Sequence, residues 1–167
     1  MPNRTDAGAG ATNGPFSRYL AEHGTAVLGY LRSSVGPGEA DDVFQEAFIA
    51  ALRAWEPGAR APGRAWIFRI AHNKAIDHHR AAGRRPLSFA EPPEPAHTDA
   101  DRLEAADLRA QVAGLPEGQR AAVGLRFFAD LAYRDVGDAL EISEQAARRR
   151  VADGLSALRG QLEKEDV

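Results

Sequence analysis

The chain has 167 residues, 44% hydrophobic and 27% charged, with a formal net charge of −3 and no cysteine. That is one medium domain or two small ones, and the missing cysteine excludes disulfides, thiolate chemistry and cysteine-type zinc sites. No apolar run approaches the roughly 20 residues needed to cross a bilayer, and the opening MPNRTDAGAGATNGP has no apolar segment of the secretory kind, so a cytoplasmic location without membrane insertion is expected.

Residues 1–14 read as a disordered tail of small residues. The first helix is expected from Phe16 to about Ser34, with Leu20, Val27, Leu28 and Leu31 on one stripe and Gly36-Pro37-Gly38 ending it. The second, Glu39 to Trp55, places Phe44, Phe48, Ala51, Leu52 and Trp55 at spacings of three and four. Glu39, Asp41 and Asp42 favour its N-terminus through the helix dipole. After the loop EPGARAPG, a third helix runs from Arg64 to about Ala82.

The stretch from residue 64 to 86 is out of keeping with an acidic chain. It carries Arg64, Arg69, Lys74, Arg80, Arg84 and Arg85 against one acid, Asp77. On a helix Arg69, Asn73, Asp77 and Arg80 share a face, with Lys74 alongside. Cations there neutralise phosphates, and Asn offers a donor and an acceptor to a base edge. Favourable placement of cations near a helix C-terminus explains Arg80, Arg84 and Arg85, but Arg69 and Lys74 lie too far upstream.

Acids then dominate residues 87–118, beginning with SFAEPPEPAHTD, whose Pro92, Pro93 and Pro95 cannot sustain a helix. The stretch 86–98 reads as an interdomain linker. Beyond it, Asp99 to Leu115 looks helical, and Pro116 suits the first turn of a helix reaching about Phe128. A short helix, Tyr133 to Leu140, precedes a tight connection at Glu141-Ile142, and Ser143 caps a long helix. Ala147, Val151, Leu155, Leu158 and Leu162 form the apolar stripe of that helix. Glu144, Gln145, Arg148, Arg149 and Ala152 occupy the other face. Short helix, turn and capped helix outline a helix-turn-helix. Its outer face is either a major-groove reader, where Arg pairs with guanine and Gln with adenine, or an ordinary solvated face.

Other readings carry less. Trp55, Trp66 and Phe68 could stack on unpaired bases, but aromatic residues dominate small helical cores. Asp77-His78-His79 spells the DHH of a phosphoesterase family, and His72 and His97 could add ligands. Adjacent histidines on a helix point about 100° apart, however, and no aspartate-rich motif accompanies them. Asp41, Asp42 and Glu46 lack the Gly-containing loop of a cation site and suit a solvated or protein-binding face. No catalytic residues, metal or cofactor are expected.

EADDVFQEAFIAALRAW, then AWIFRIAHNKAIDHHR, then LPEGQRAAVGLRFFADLAYRDVGDALEISEQAARRRVADGLSALRGQL resemble, in that order, the blocks of extracytoplasmic-function sigma factors of the sigma-70 family. The resemblance implies an all-α, non-enzymatic protein of two small helical domains, over residues 15–85 and 99–167, that directs core RNA polymerase to promoters. It implies that Asp41, Asp42, Gln45 and Glu46 dock on the β′ clamp coiled coil. Arg60, Arg64, Arg69, Asn73, Lys74 and Arg80 would read and open the −10 element. Ser143, Glu144, Gln145, Arg148, Arg149 and Arg150 would read the −35 element, with the last domain resting on the β flap. An anti-sigma factor is an optional further partner. The alternatives are a helix-turn-helix regulator that never joins polymerase, and a polymerase-interaction protein with degenerate DNA reading.

The chain departs from the family pattern in places. Glu141 stands where the turn usually has Gly, which implies a non-Gly residue at positive φ. Ala132 stands where a capping Ser is common, QAARRR where the family tends toward GTVKSR, and Asp153 where a base is usual. Gly124, Gly137 and Gly154 fall inside predicted helices.

Overall fold

A computed structural model describes residues 14–83 and 107–165; the tail up to residue 13, the 86–98 linker, Arg84, Arg85 and His97 lie outside the described residues. Helix α1 spans Pro15–Ser34, α2 Pro37–Ala54 and α3 Arg64–Ala82. Proline opens α1 and α2, where its fixed φ fits the first turn and its missing N–H costs nothing. Gly36 takes φ 90° between them, a backbone state open to glycine. The three helices bury Val27, Tyr30 and Leu31 of α1, Val43, Ala47 and Ala51 of α2, and Ile67, Phe68, Ala71 and Ala75 of α3. Full burial of side chains such as Phe68 and Leu31 contributes roughly 1.5–3 kcal/mol each. At one end Phe16, Tyr19, Trp55 and Trp66 meet mostly edge to face.

In the second segment, α4 covers residues 107–113, α5 Glu117–Val123, α6 Tyr133–Leu140 and α7 Glu144–Glu165. The single helix expected from Pro116 to Phe128 is subdivided. Pro116 is its extended N-cap rather than part of its first turn, and Gly124–Phe128 is wound as a π-turn. The amide of Ala129 reaches the carbonyl of Gly124 at 3.2 Å, and Asp130 then reverses the chain at φ 53°. The helix widens where Gly124 and Leu125 meet α1, a tertiary cause that local periodicity does not carry.

The helix-turn-helix forms over the expected residues. Glu141 caps α6 at φ 56°, ψ 42°, left-handed as its replacement of glycine implied. Ala132, the N-cap of α6, supplies no side-chain bond, whereas the Ser143 hydroxyl accepts from the amide of Ala146 at 3.0 Å. A Cβ on Gly137 would stand 2.8 Å from the carbonyl oxygen of Ile142, so the closeness of the turn excludes a side chain there. Gly154 likewise makes room for Val123. The expected apolar stripe of α7 is buried only at Ala147, Val151 and Leu158. Leu155 is 37% and Leu162 48% exposed, so the stripe is only partly covered.

The two expected units share one core. The buried cluster of α1–α3 continues into Ala122, Leu125, Ala129, Leu131, Val136, Ala139, Ala147 and Val151. Helix α3 lies along α6, and α1 against the π-turn. A second, smaller cluster gathers Val112, Leu115, Val123 and Leu158.

Candidate nucleic-acid and protein interfaces

Three surfaces carry the predicted site residues. On α2, Asp41, Asp42, Gln45 and Glu46 are all exposed. At about 100° per residue they share an arc of roughly 140° with Ile49, Leu52 and Arg53. Ile49 is 49% and Leu52 56% exposed. Leu52, expected on the apolar stripe, therefore belongs to the outer face. Two exposed aliphatic side chains bordered by acids suit a protein partner with matching cations better than bulk water. Ile49 was not flagged in the sequence because it lies off the three-four pattern.

The second surface is α3 with its preceding loop. Asn73, Asp77 and Arg80 are exposed and Lys74 is half-buried. Arg69 and Arg64 are already engaged. Arg69 donates to the carbonyl of Asp138 at 2.8 and 3.3 Å, and Arg64 donates to that of Ala129 at 2.6 Å. Beside them, the loop walls an open pocket of about 180 Å³ with Trp55, Glu56, Ala59, Arg60 and Pro62, closed by Trp66 of α3. The Tyr19 hydroxyl donates to the carbonyl of Gly63 at 3.2 Å and pins the end of this loop. Burial pushes that hydroxyl up to about 12, so it remains a donor at neutral pH. Trp55 and Trp66, 6.3 Å apart, thus sit partly on the core and partly on the pocket, whereas Phe68 is wholly core.

Among the described residues the histidines are not gathered into a ligand set. His72 Nδ1 hydrogen-bonds the Tyr30 hydroxyl at 3.0 Å, and the His78 and His79 rings lie 6.1 Å apart. Burial holds both His72 and His79 below the usual imidazole range.

The third surface is the first two turns of α7. Gln145, Arg148 and Arg149 are exposed. Arg148 bonds Glu144 at 2.7 Å and lies 4.4 Å over the Tyr133 ring, which Arg126 also approaches at 5.1 Å. Arg149 comes within 4.0 Å of Asp153. Ser143 is committed to its cap. Arg150 turns away, with its guanidinium packed on Gly118 at the start of α5. Tyr133, which supports Arg148, and Arg126, which shares that ring, carry no periodic signal. Only the fold brings them beside α7.

Both segments are similar to known proteins. The family models described as Sigma-70 region 2 and Sigma-70, region 4 match residues 20–85 and 112–160. The RNA polymerase sigma-H factor of Pseudomonas aeruginosa is 34% identical over 68% of this chain and 67% of that protein. The ECF RNA polymerase sigma factor SigE of Mycolicibacterium smegmatis is 31% identical over 80% of this chain, which spans 55% of that relative's length. CnrH, solved in complex with the cytosolic domain of CnrY, superposes with a TM-score of 0.68 at 28% identity, covering 89% of this chain and 88% of that one.

Proposed function

The chain belongs to the extracytoplasmic-function sigma factors of the sigma-70 family, and from that premise we propose that it binds core RNA polymerase in the cytoplasm and directs promoter-specific initiation without catalysing a reaction itself. The observation that carries this reading is that one chain holds, in family order, an acid-bordered aliphatic face on α2, a cation-rich α3 beside an aromatic pocket, and a capped recognition helix. A regulator that only bound duplex DNA would need the last of these alone.

Asp41, Asp42, Gln45 and Glu46, with Ile49 and Leu52, serve as the polymerase anchor on the β′ clamp. Arg60, Arg64, Arg69, Asn73, Lys74 and Arg80 serve the −10 element, and the pocket bordered by Trp55 and Trp66 supplies aromatic surface against which an unpaired base stacks. Gln145, Arg148 and Arg149 serve the −35 element, where a bidentate contact is worth roughly 1–3 kcal/mol of discrimination. Glu144 orients Arg148 and Ser143 holds the helix start. Arg150 supports α7 against α5, and the second segment rests on the β flap. CnrH is held by the cytosolic domain of CnrY, and a protein partner of that kind, an anti-sigma factor, fits this chain as well.

Run-off transcription with core polymerase and a pool of genomic promoters tests the proposal. Discrete, chain-dependent transcripts are expected. Promoter-sized DNA binding with no retention of core polymerase and no transcripts would overturn it in favour of a stand-alone regulator.

A further inference from the structure

The reading side of the helix-turn-helix is short of positive charge. Over the turn and the first three turns of α7 the exposed charged residues are Glu141, Glu144, Arg148, Arg149 and Asp153, three acids against two bases. Arg150 adds nothing there, because its guanidinium packs on Gly118. A helix that held duplex DNA mainly through its phosphates would carry the opposite balance, since neutralised phosphates supply the sequence-independent part of the affinity.

Two of the acids are placed one to each base. Glu144 accepts from Arg148 Nη2 at 2.7 Å, and Asp153 stands 4.0 Å from Arg149 Nε, each pair four residues apart along the helix. The pairs are not alike. Arg148 also lies 4.4 Å over the Tyr133 ring and is held from two sides, whereas the Arg149 side chain is 85% exposed beside Asp153. To grip a phosphate, either arginine must leave its carboxylate, which then faces the like charge of the backbone. A guanine edge asks for less. A guanidinium has more N–H donors than one carboxylate bond uses, so Arg148 can keep Glu144 and still offer two donors to O6 and N7. The other oxygen of Glu144 is then placed to accept from N4 of a neighbouring cytosine, whose major-groove edge offers a donor and no acceptor.

We propose that Glu144 and Asp153 are specificity-determining residues of the −35 contact: they restrain Arg148 and Arg149 from phosphates, and Glu144 with Arg148 selects a guanine beside a cytosine. The two acids weaken the hold on every sequence, and weaken it least on the right one. This deepens the functional reading above and rests on it for the identity of the DNA.

The test uses holoenzyme reconstituted from core polymerase and the full chain, on promoter duplexes from the run-off pool whose −35 element is randomised. Sequencing the retained duplexes should show guanine next to cytosine for the unaltered chain. Glu144→Gln should shift the cytosine position toward adenine, which an amide pairs at N6 and N7. In competition binding, Glu144→Gln and Asp153→Asn should each hold a scrambled −35 duplex about two- to fivefold more tightly, the span of an exposed ion pair. A merely structural role for either acid would not produce that gain. In an Arg149→Ala background Asp153→Asn should lose its gain, because the effects of paired residues do not add.

Unchanged affinity for scrambled DNA, an Asp153→Asn gain that persists without Arg149, or a selected element lacking adjacent guanine and cytosine would overturn the inference. If the unaltered chain does not join polymerase, the functional reading fails instead. The salt dependence of the full chain on random duplex DNA then decides the pairing. Each variant should steepen the slope by about 0.9 per phosphate regained, and an unchanged slope would refute it.

Discussion

Replacing Glu141 by glycine should stabilise the protein, although the change removes an entire side chain. Glu141 caps α6 in left-handed geometry, and its exposed side chain makes no ion pair with the other described residues. What it brings is strain, roughly 1–2 kcal/mol for a Cβ held against the neighbouring carbonyl. Glycine relieves that strain but loses more backbone freedom on folding, roughly 0.5–1 kcal/mol. The net gain for Glu141→Gly is about 0.5–1 kcal/mol. Because both segments share one core, unfolding should be a single cooperative transition to which this gain applies in full. For a chain of this size it should raise Tm by about 1–4 °C. Calorimetry of the parent, Glu141→Gly and Glu141→Ala decides the matter. Alanine keeps the Cβ and should stay within about 0.5 kcal/mol of the parent, as surface changes usually do. Equal gains from alanine and glycine, or no gain from glycine, would refute the strain argument and leave the turn to be explained by the glutamate's charge.

Asp42→Arg combined with Glu46→Arg should reduce retention on core polymerase at least tenfold with unchanged helicity and Tm, since both residues are exposed; a quantitative pull-down checks this. Tyr133→Leu should weaken discrimination among −35 sequences in competition binding, by about 0.5–1 kcal/mol for a lost exposed cation–π support, while Arg148→Ala should cost roughly 1–3 kcal/mol and abolish the preference at one base position. Burial lowers the pKa of His72 and His79 from 6.5, so the unfolded chain binds more protons than the folded one as pH falls through that value. Stability should therefore be fully present above about pH 6.5 and decline below it. Denaturation midpoints at about pH 7.5 and 5.5 should show the loss, and His72→Gln should make it smaller.

Helix positions were legible wherever local chemistry set them. Ser143 caps a helix and spacings of three and four mark the buried sides, whereas Pro37, expected in the break after the first helix, opens α2. The left-handed backbone at Glu141 followed from the family resemblance, in which glycine usually fills that turn. What escaped the sequence depends on long-range partners. Leu52, Leu155 and Leu162 fit apolar stripes but are exposed, because periodicity gives the direction of a face and not whether another element reaches it. The π-turn at Gly124–Phe128 follows from contact with α1 across nearly a hundred residues of chain. At the candidate sites the residue types were legible, yet their present partners were not. Arg64 and Arg69 stood out as cations, and nothing local announces that carbonyls of Ala129 and Asp138 hold them. Arg150 was indistinguishable in sequence from Arg148 and Arg149, and only its contact with Gly118 separates it.

The pair Trp55 and Trp66 has a practical consequence. They are the chain's only tryptophans, and both border the same pocket beside α3. Intrinsic indole emission from the whole protein therefore originates at one place, with α7 optically silent. A base stacking against either ring should quench that emission, whereas duplex DNA held by α7 alone should leave it unchanged. Stopped-flow recording without any attached dye can then time strand capture apart from −35 docking.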